Sequence, residues 1–165
     1  MLKNVIEFKN DSVVKTVNKP YINITQTWFD MYTELSENND YLVKVLDVNS
    51  NTNTIVMESL DIFNDVEECL KNHSNRITKS ILCDIILALS TSWTQSIEFS
   101  KALPNNDFFV HTDLSLQNIV LTKDNKVKVI DPDSYVIVEK LKYTEKFYMS
   151  QINLMANLGI YYNDL

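Results

Sequence analysis

One glycine, Gly159, stands in a chain of 165 residues, where ordinary usage is about 7%. A glycine-rich loop of the kind whose backbone amides cradle phosphates is excluded, because its turns need several positions free of a Cβ. Cysteine is scarce too. Cys69 and Cys83 fit no CxxC spacing, so neither a zinc site nor a disulfide framework is expected, and both read as core or partly buried thiols. Apolar runs are short: the longest, Ile85 to Leu89, is far below the roughly twenty residues that span a bilayer. The first residues, Met1 to Glu7, lack the apolar core and small-residue cleavage site of a signal peptide, so a cytoplasmic setting with no membrane attachment is the expectation. Positive charge is in deficit: 15 Lys and Arg stand against 22 Asp and Glu, for a net charge of −7 and a pI near 4.8. The cations are scattered singly, which argues against a nucleic-acid backbone as partner. A phosphorylated cofactor stays open, because a metal ion can bridge its phosphates to carboxylates.

What is present fits one folded unit. Apolar residues make up 45% and charged residues 22%, near the averages for globular proteins. A chain of this length buries roughly two-thirds of the surface its unfolded form exposes.

Strands are expected at Asn4 to Lys9 and Ser12 to Asn18, joined by the turn chemistry of Asn10-Asp11. Trp28, Phe29, Tyr32 and Leu35 recur at helical spacing within Thr25 to Glu37, with Asn23 or Thr25 as cap. A second strand pair, Tyr41 to Val48 and Thr54 to Glu58, flanks the polar cluster Asn49 to Asn53. Beyond Leu60 the pattern turns helical. Asp61 is placed to cap a short helix reaching Lys71, with Asp65 near its positive end. Ile77, Ile81, Ile85, Leu89, Trp93 and Ile97, widened by Leu82 and Ile86, mark a long core helix to Lys101. Strand character returns at Phe108 to His111, Asn118 to Thr122 and Lys126 to Asp131, with Lys123 to Asn125 as a turn. A last helix is expected from Lys142 to Leu158, capped by Gly159. The fold class is α+β: two lobes, residues 1–59 with a small antiparallel sheet and 60–165 mainly helical, meeting near Ser59 to Asp61.

Three side chains stand out by spacing: Asp113, Asn118 and Asp131. If 118–131 is a hairpin turning at 123–125, its ends lie side by side, and an amide oxygen and a carboxylate share one small space. Both are hard donors suited to Mg²⁺. Asp113, in the loop entering that hairpin, is placed to accept a proton from an attacking hydroxyl or to orient it. Taken singly these residues could merely cap turns, with His111 a satisfied core histidine.

His111-x-Asp113-Leu-x-x-x-Asn118 followed by Val129-Ile-Asp131 resembles the catalytic loop and metal-binding strand end of the protein-kinase-like superfamily, in its small-molecule branch, the aminoglycoside phosphotransferases and choline kinases, here in a minimal form. The resemblance implies an ATP- and Mg²⁺-dependent phosphotransferase moving the γ-phosphoryl group to a hydroxyl of a small molecule. It implies Asp113 as catalytic base and His111 as scaffold of its loop. Asn118 and Asp131 would bind metal, with Asp133 as a further or supporting ligand. Val13-Val-Lys15-Thr-Val resembles the strand whose lysine meets nucleotide phosphates, and Asp30 or Glu34 is its implied carboxylate partner on the following helix. Val56-Met57-Glu58-Ser59 resembles the hinge that reads adenine. The bland alternatives are a solvent-facing Lys15, surface charges at Asp30 and Glu34, and core packing for Met57.

The pattern also departs from the family. Only one short hairpin precedes Lys15, so the phosphate-covering turn is deleted or reduced to Lys9 to Ser12. Ser115 stands where Ser/Thr protein kinases commonly carry Lys, which disfavours protein substrates. Two other functions stay open. One is a pseudokinase that binds nucleotide or protein without turnover. The other is a metal-dependent hydrolase using Asp113, Asp131 and Asp133 without nucleotide. Apolar surface left by the reduced first lobe makes self-association into a homo-oligomer a further expectation.

Overall fold

A computed structural model describes residues 4–19, 22–139, 154–156 and 158–159. The first sixty residues follow the sequence closely. β1 (Val5–Phe8) and β2 (Ser12–Thr16) form a hairpin closed by Lys9 N donating to Ser12 O at 2.8 Å. After α1 (Gln26–Glu37), β3 (Val45–Asn49) and β4 (Thr54–Glu58) complete an antiparallel sheet in the order β1-β2-β4-β3. Thr25 caps α1, its Oγ1 accepting from Trp28 N at 3.1 Å. The face spaced at three and four residues is the one that packs: Trp28, Tyr32 and Leu35 are buried, and Phe29 is half-buried.

Tyr41 to Val43, expected as strand with β3, is drawn elsewhere. Val43 N donates to Val129 O at 3.0 Å and Val129 N to Tyr41 O at 2.7 Å, so this stretch bridges to a later strand instead of extending β3. Asn53, at φ 51°, turns the chain between β3 and β4. Asparagine tolerates that left-handed backbone better than most residues.

The second half holds β5 (Ile62–Asp65), α2 (Val66–Asn72), α3 (Lys79–Ser100), β6 (Phe108–His111), β7 (Ile119–Thr122), β8 (Val127–Val129) and β9 (Tyr135–Val138). They form a β5-β7-β8 sheet and a β6-β9 pair, both antiparallel. Asp61 does not cap a helix. Ile62 to Asp65 pair with β7, and Asp65 takes the cap of α2, its Oδ1 accepting from Glu68 N at 2.8 Å. A strand partner 55 to 60 residues away overrides a local helical reading.

α3 is capped by Thr78 and buries Ile81, Leu82, Ile85, Ala88 and Leu89 as the stripe requires. Past Leu89 its buried face moves to Ser92, Ser96 and Ser100, leaving Trp93 and Ile97 half-buried. Small residues let this end lie close to β6. The Ser96 and Ser100 hydroxyls donate to carbonyls of their own helix, at 2.9 Å to Ser92 O and 2.6 Å to Ile97 O.

Among the described residues, one apolar core runs across the expected lobe boundary, joining Val17, Ile24, Tyr32, Leu42 and Ile55 to Leu82, Ile85, Phe109, Ile119 and Tyr135. Cys69 lies in it, whereas Cys83 is exposed, contrary to expectation. The helix expected over 142–158 lies largely outside the described residues. Gly159 is itself helical, and its φ is not positive, so it is no left-handed cap. No helix among the described residues is long and apolar enough to cross a membrane.

Candidate active site

Antiparallel register puts Lys15 opposite Ile55 in the middle of the first sheet, with 5% of its surface exposed. A lysine so placed needs carboxylates, because an unpaired buried ammonium is costly. They arrive from the end of β8. Lys15 Nζ pairs with Asp131 Oδ1 and, at 2.5 Å, with Asp133 Oδ1. A second lysine joins them. Lys19 Nζ lies 3.1 Å from Asp133 Oδ2 and 3.4 Å from Asp131 Oδ2. The Ser134 hydroxyl donates to Asp131 Oδ2 at 2.5 Å. The result is a closed set of two cations and two anions.

Burial pushes the Asp131 carboxyl up, but the Lys15 charge and hydrogen bond, with Ser134 and Lys19, outweigh it and hold the group well below the usual carboxylate range. Burial likewise works against the Lys19 ammonium, and Asp133 and Asp131 overcome it, raising its pKa. Asp131 takes a left-handed conformation, φ 65° and ψ 54°, directly before Pro132. Residues preceding proline favour extended backbone, so this position is strained, a state found most often at functional sites.

The loop leading into β7 is fixed by two side chains. His111 Nε2 lies 3.0 Å from Ile130 O and Nδ1 accepts from Asp113 N at 3.3 Å, which assigns the proton to Nε2. Burial lowers the pKa of this imidazole, more than Ile130 O and the carboxylates of Asp131, Asp113 and Asp133 raise it, so the ring stays neutral. Asn118 Nδ2 donates to Asp113 O at 2.7 Å and to Asp113 Oδ2 at 3.0 Å. Asp113 is thereby oriented while remaining exposed. The hairpin returns as its spacing required: Ile130 N donates to Asn118 O at 2.9 Å, so Asn118 lies beside the strand end that carries Asp131.

Other sequence candidates fall differently. Asp30 and Glu34 are exposed on α1 and do not reach Lys15; Asp30 accepts from Gln26 Nε2 at 2.8 Å instead. The inward face of α1 is aromatic, with Trp28 stacked on Tyr32 and Trp28 Nε1 donating to Tyr135 O at 2.8 Å. Glu58 is turned to structural use, its Oε1 accepting from Lys44 N at 2.8 Å and lying 3.5 Å from Lys128 Nζ. Met57 is buried. Asp133 is fully buried, whereas the Asp131 side chain is 19% exposed, so Asp133 is the worse placed of the two as a metal ligand. Among the described residues no group of three or more His, Cys, Asp or Glu is placed to hold a metal. Asp113, Asp131 and Asp133 thus do not converge as the hydrolase alternative requires.

Sequence reasoning passed over Lys19, Ser134 and Asn53. Lys19 carried one weak signal, its place four residues after Lys15, and Ser134 another, its adjacency to Asp133. Asn53 had none beyond its turn. Its Oδ1 accepts from Ile24 N at 2.7 Å, and its Nδ2 donates to Val17 O at 2.7 Å and Ile22 O at 3.0 Å, clamping the β2–α1 connection.

No protein-family model matches the sequence, and no curated protein matches it. Among solved structures, the chain is similar to a choline/ethanolamine kinase family protein from Mesorhizobium loti, at 14% identity and a TM-score of 0.48, over 83% of this chain and 57% of the length of that one.

Proposed function

We propose that the chain is a kinase-like phosphotransferase that moves the γ-phosphoryl group of ATP, with Mg²⁺, to a hydroxyl of a small molecule. Residues 1–59 and 60–165 act as its two lobes, with catalytic loop 111–118 and metal-binding strand end 129–133. The observation that carries this reading is the meeting of Lys15 with Asp131 across 116 residues of sequence, beside a loop in which Asn118 and His111 hold Asp113. A surface lysine on an exposed strand would need none of this.

Asn118 and Asp131 fit a magnesium site. The Asn118 Nδ2 is committed to Asp113, its Oδ1 has no hydrogen-bond partner among the described residues, and the Asp131 side chain keeps 19% of its surface exposed. Mg²⁺ held there would neutralise phosphate charge and keep several waters. Asp133 belongs with the lysines. In the proposed transfer, Lys15 binds the phosphate chain and Asp113 orients the acceptor hydroxyl and takes its proton as the oxygen bonds to phosphorus and ADP departs. Neutral His111 holds the loop. Asp113→Asn keeps the shape and removes the base. It should bind ATP as wild type does and lose ATP consumption by a factor of about 10²–10⁴ across a pool of hydroxyl acceptors. Equal rates for both forms would reject turnover.

One observation favours a second reading, a pseudokinase. Every carboxylate oxygen of Asp131 and Asp133 already faces a lysine, and no acid from α1 competes for Lys15. Clear ATP binding without consumption by wild type would select it.

A further inference from the structure

The β1–β2 turn, Lys9 to Ser12, carries Asn10 and Asp11 and no glycine, so phosphate oxygens need donors from elsewhere. The segment between β2 and α1 offers one. Lys19 shares both carboxylates with Lys15, yet the two lysines differ in how they are held. The Lys15 side chain is 6% exposed and sits tightly on its partners, whereas that of Lys19 is 39% exposed, with contacts of 3.1 Å to Asp133, 3.4 Å to Asp131 and 3.3 Å to Ser134 Oγ. Lys15 is the more tightly held of the two, and Lys19 has the more open flank.

Described residues on either side of Lys19 are tied by hydrogen bonds. Asn53 binds Val17 O, Ile22 O and Ile24 N on either side of it, Asn53 O accepts from Val17 N at 2.9 Å, and Ile22 N donates to Lys19 O at 3.2 Å. A partly exposed lysine with hydrogen-bonded backbone on either side, adjoining the proposed phosphate site, is suited to an incoming polyanion. Turning onto it exchanges contacts of 3.1 Å to Asp133 and 3.4 Å to Asp131 for phosphate oxygens, and the buried Asp133 keeps Lys15 as counter-ion.

We infer that Lys19 is a second phosphate-binding lysine, contacting the distal phosphates of a nucleoside triphosphate where a glycine turn is missing. The inference rests on the nucleotide-binding reading above. Calorimetric titration of ATP and AMP with Mg²⁺ into wild type, Lys19→Met and Lys19→Arg tests it. Lys19→Met should weaken ATP about tenfold or more, as loss of a charge-assisted bond implies, and change AMP by less than about twofold. Lys19→Arg keeps the cation and should retain most of the ATP affinity. Lys19→Gln serves if the Met variant does not fold. Equal loss for ATP and AMP, or loss for neither, overturns the inference alone. A wild type that binds neither nucleotide overturns it together with the reading beneath it.

Discussion

Replacing Lys15 by Met separates a buried ionic cluster from an ordinary surface pair. The substitution keeps the length of the stem and deletes the charge, leaving Asp133 at 0% exposure with Lys19 as its remaining cation at 3.1 Å. Breaking a buried pair costs about 3–5 kcal/mol, because the abandoned charge stays desolvated. Lys19 still neutralises one of the two carboxylates, which places the expected loss at the lower end, about 3 kcal/mol. That is a large share of the roughly 5–15 kcal/mol that holds a domain together. For a chain of this size it lowers Tm by about 6–12 °C. Lys19→Met is the control: a partly exposed cation at longer distances, screened by water, should cost about 1 kcal/mol or less. Urea unfolding followed by circular dichroism, with calorimetric melts, reads both. Adding Asp133→Leu to Lys15→Met should recover part of the loss, since the buried charge then disappears with its partner. A Lys15→Met variant within about 0.5 kcal/mol of wild type would refute the cluster, as would equal costs for the two lysines.

Acid should destabilise the protein in two windows. The His111 pKa is depressed in the folded state, so the unfolded chain binds more protons below about 6.5 and stability falls as pH drops through that value. The Asp131 pKa is depressed too, so its contribution, present above about 4, is lost as pH falls further; unfolding free energies measured from pH 8 to 3 should show both slopes, and His111→Asn should flatten the upper one. Asn53→Ala removes three hydrogen bonds from the β2–α1 connection and should cost about 2–4 kcal/mol in urea unfolding; a loss under about 0.5 kcal/mol would show that the clamp is dispensable. Glu58→Ala leaves Lys44 N without its acceptor and should cost about 1–2 kcal/mol, with Glu58→Gln restoring most of it.

Much of this architecture is written locally. The β1–β2 hairpin, α1 with its Thr25 cap, α3, and the 118–131 hairpin follow from turn residues and apolar periodicity, each an interaction among near neighbours. So does the coupling of Asp113 to Asn118, five residues apart in one loop. β9 was legible in principle, since Tyr135-Val-Ile-Val is a β-branched run, but its partner β6 lies 27 residues back and no local signal names it. β5 is the converse: Ile62 to Asp65 read as helix and became strand because β7 offered a ladder. The partner of Lys15 was likewise beyond local reading. Sequence placed a lysine mid-strand and two carboxylates on the next helix, but α1 turns its aromatic stripe inward, which sends Asp30 and Glu34 to solvent. Asp131 and Asp133 then stand as the anions beside a buried ammonium. Periodicity decides which face of a helix is apolar; which charges share a desolvated space depends on how distant elements pack, and there the cost of an unpaired buried charge selects the partners.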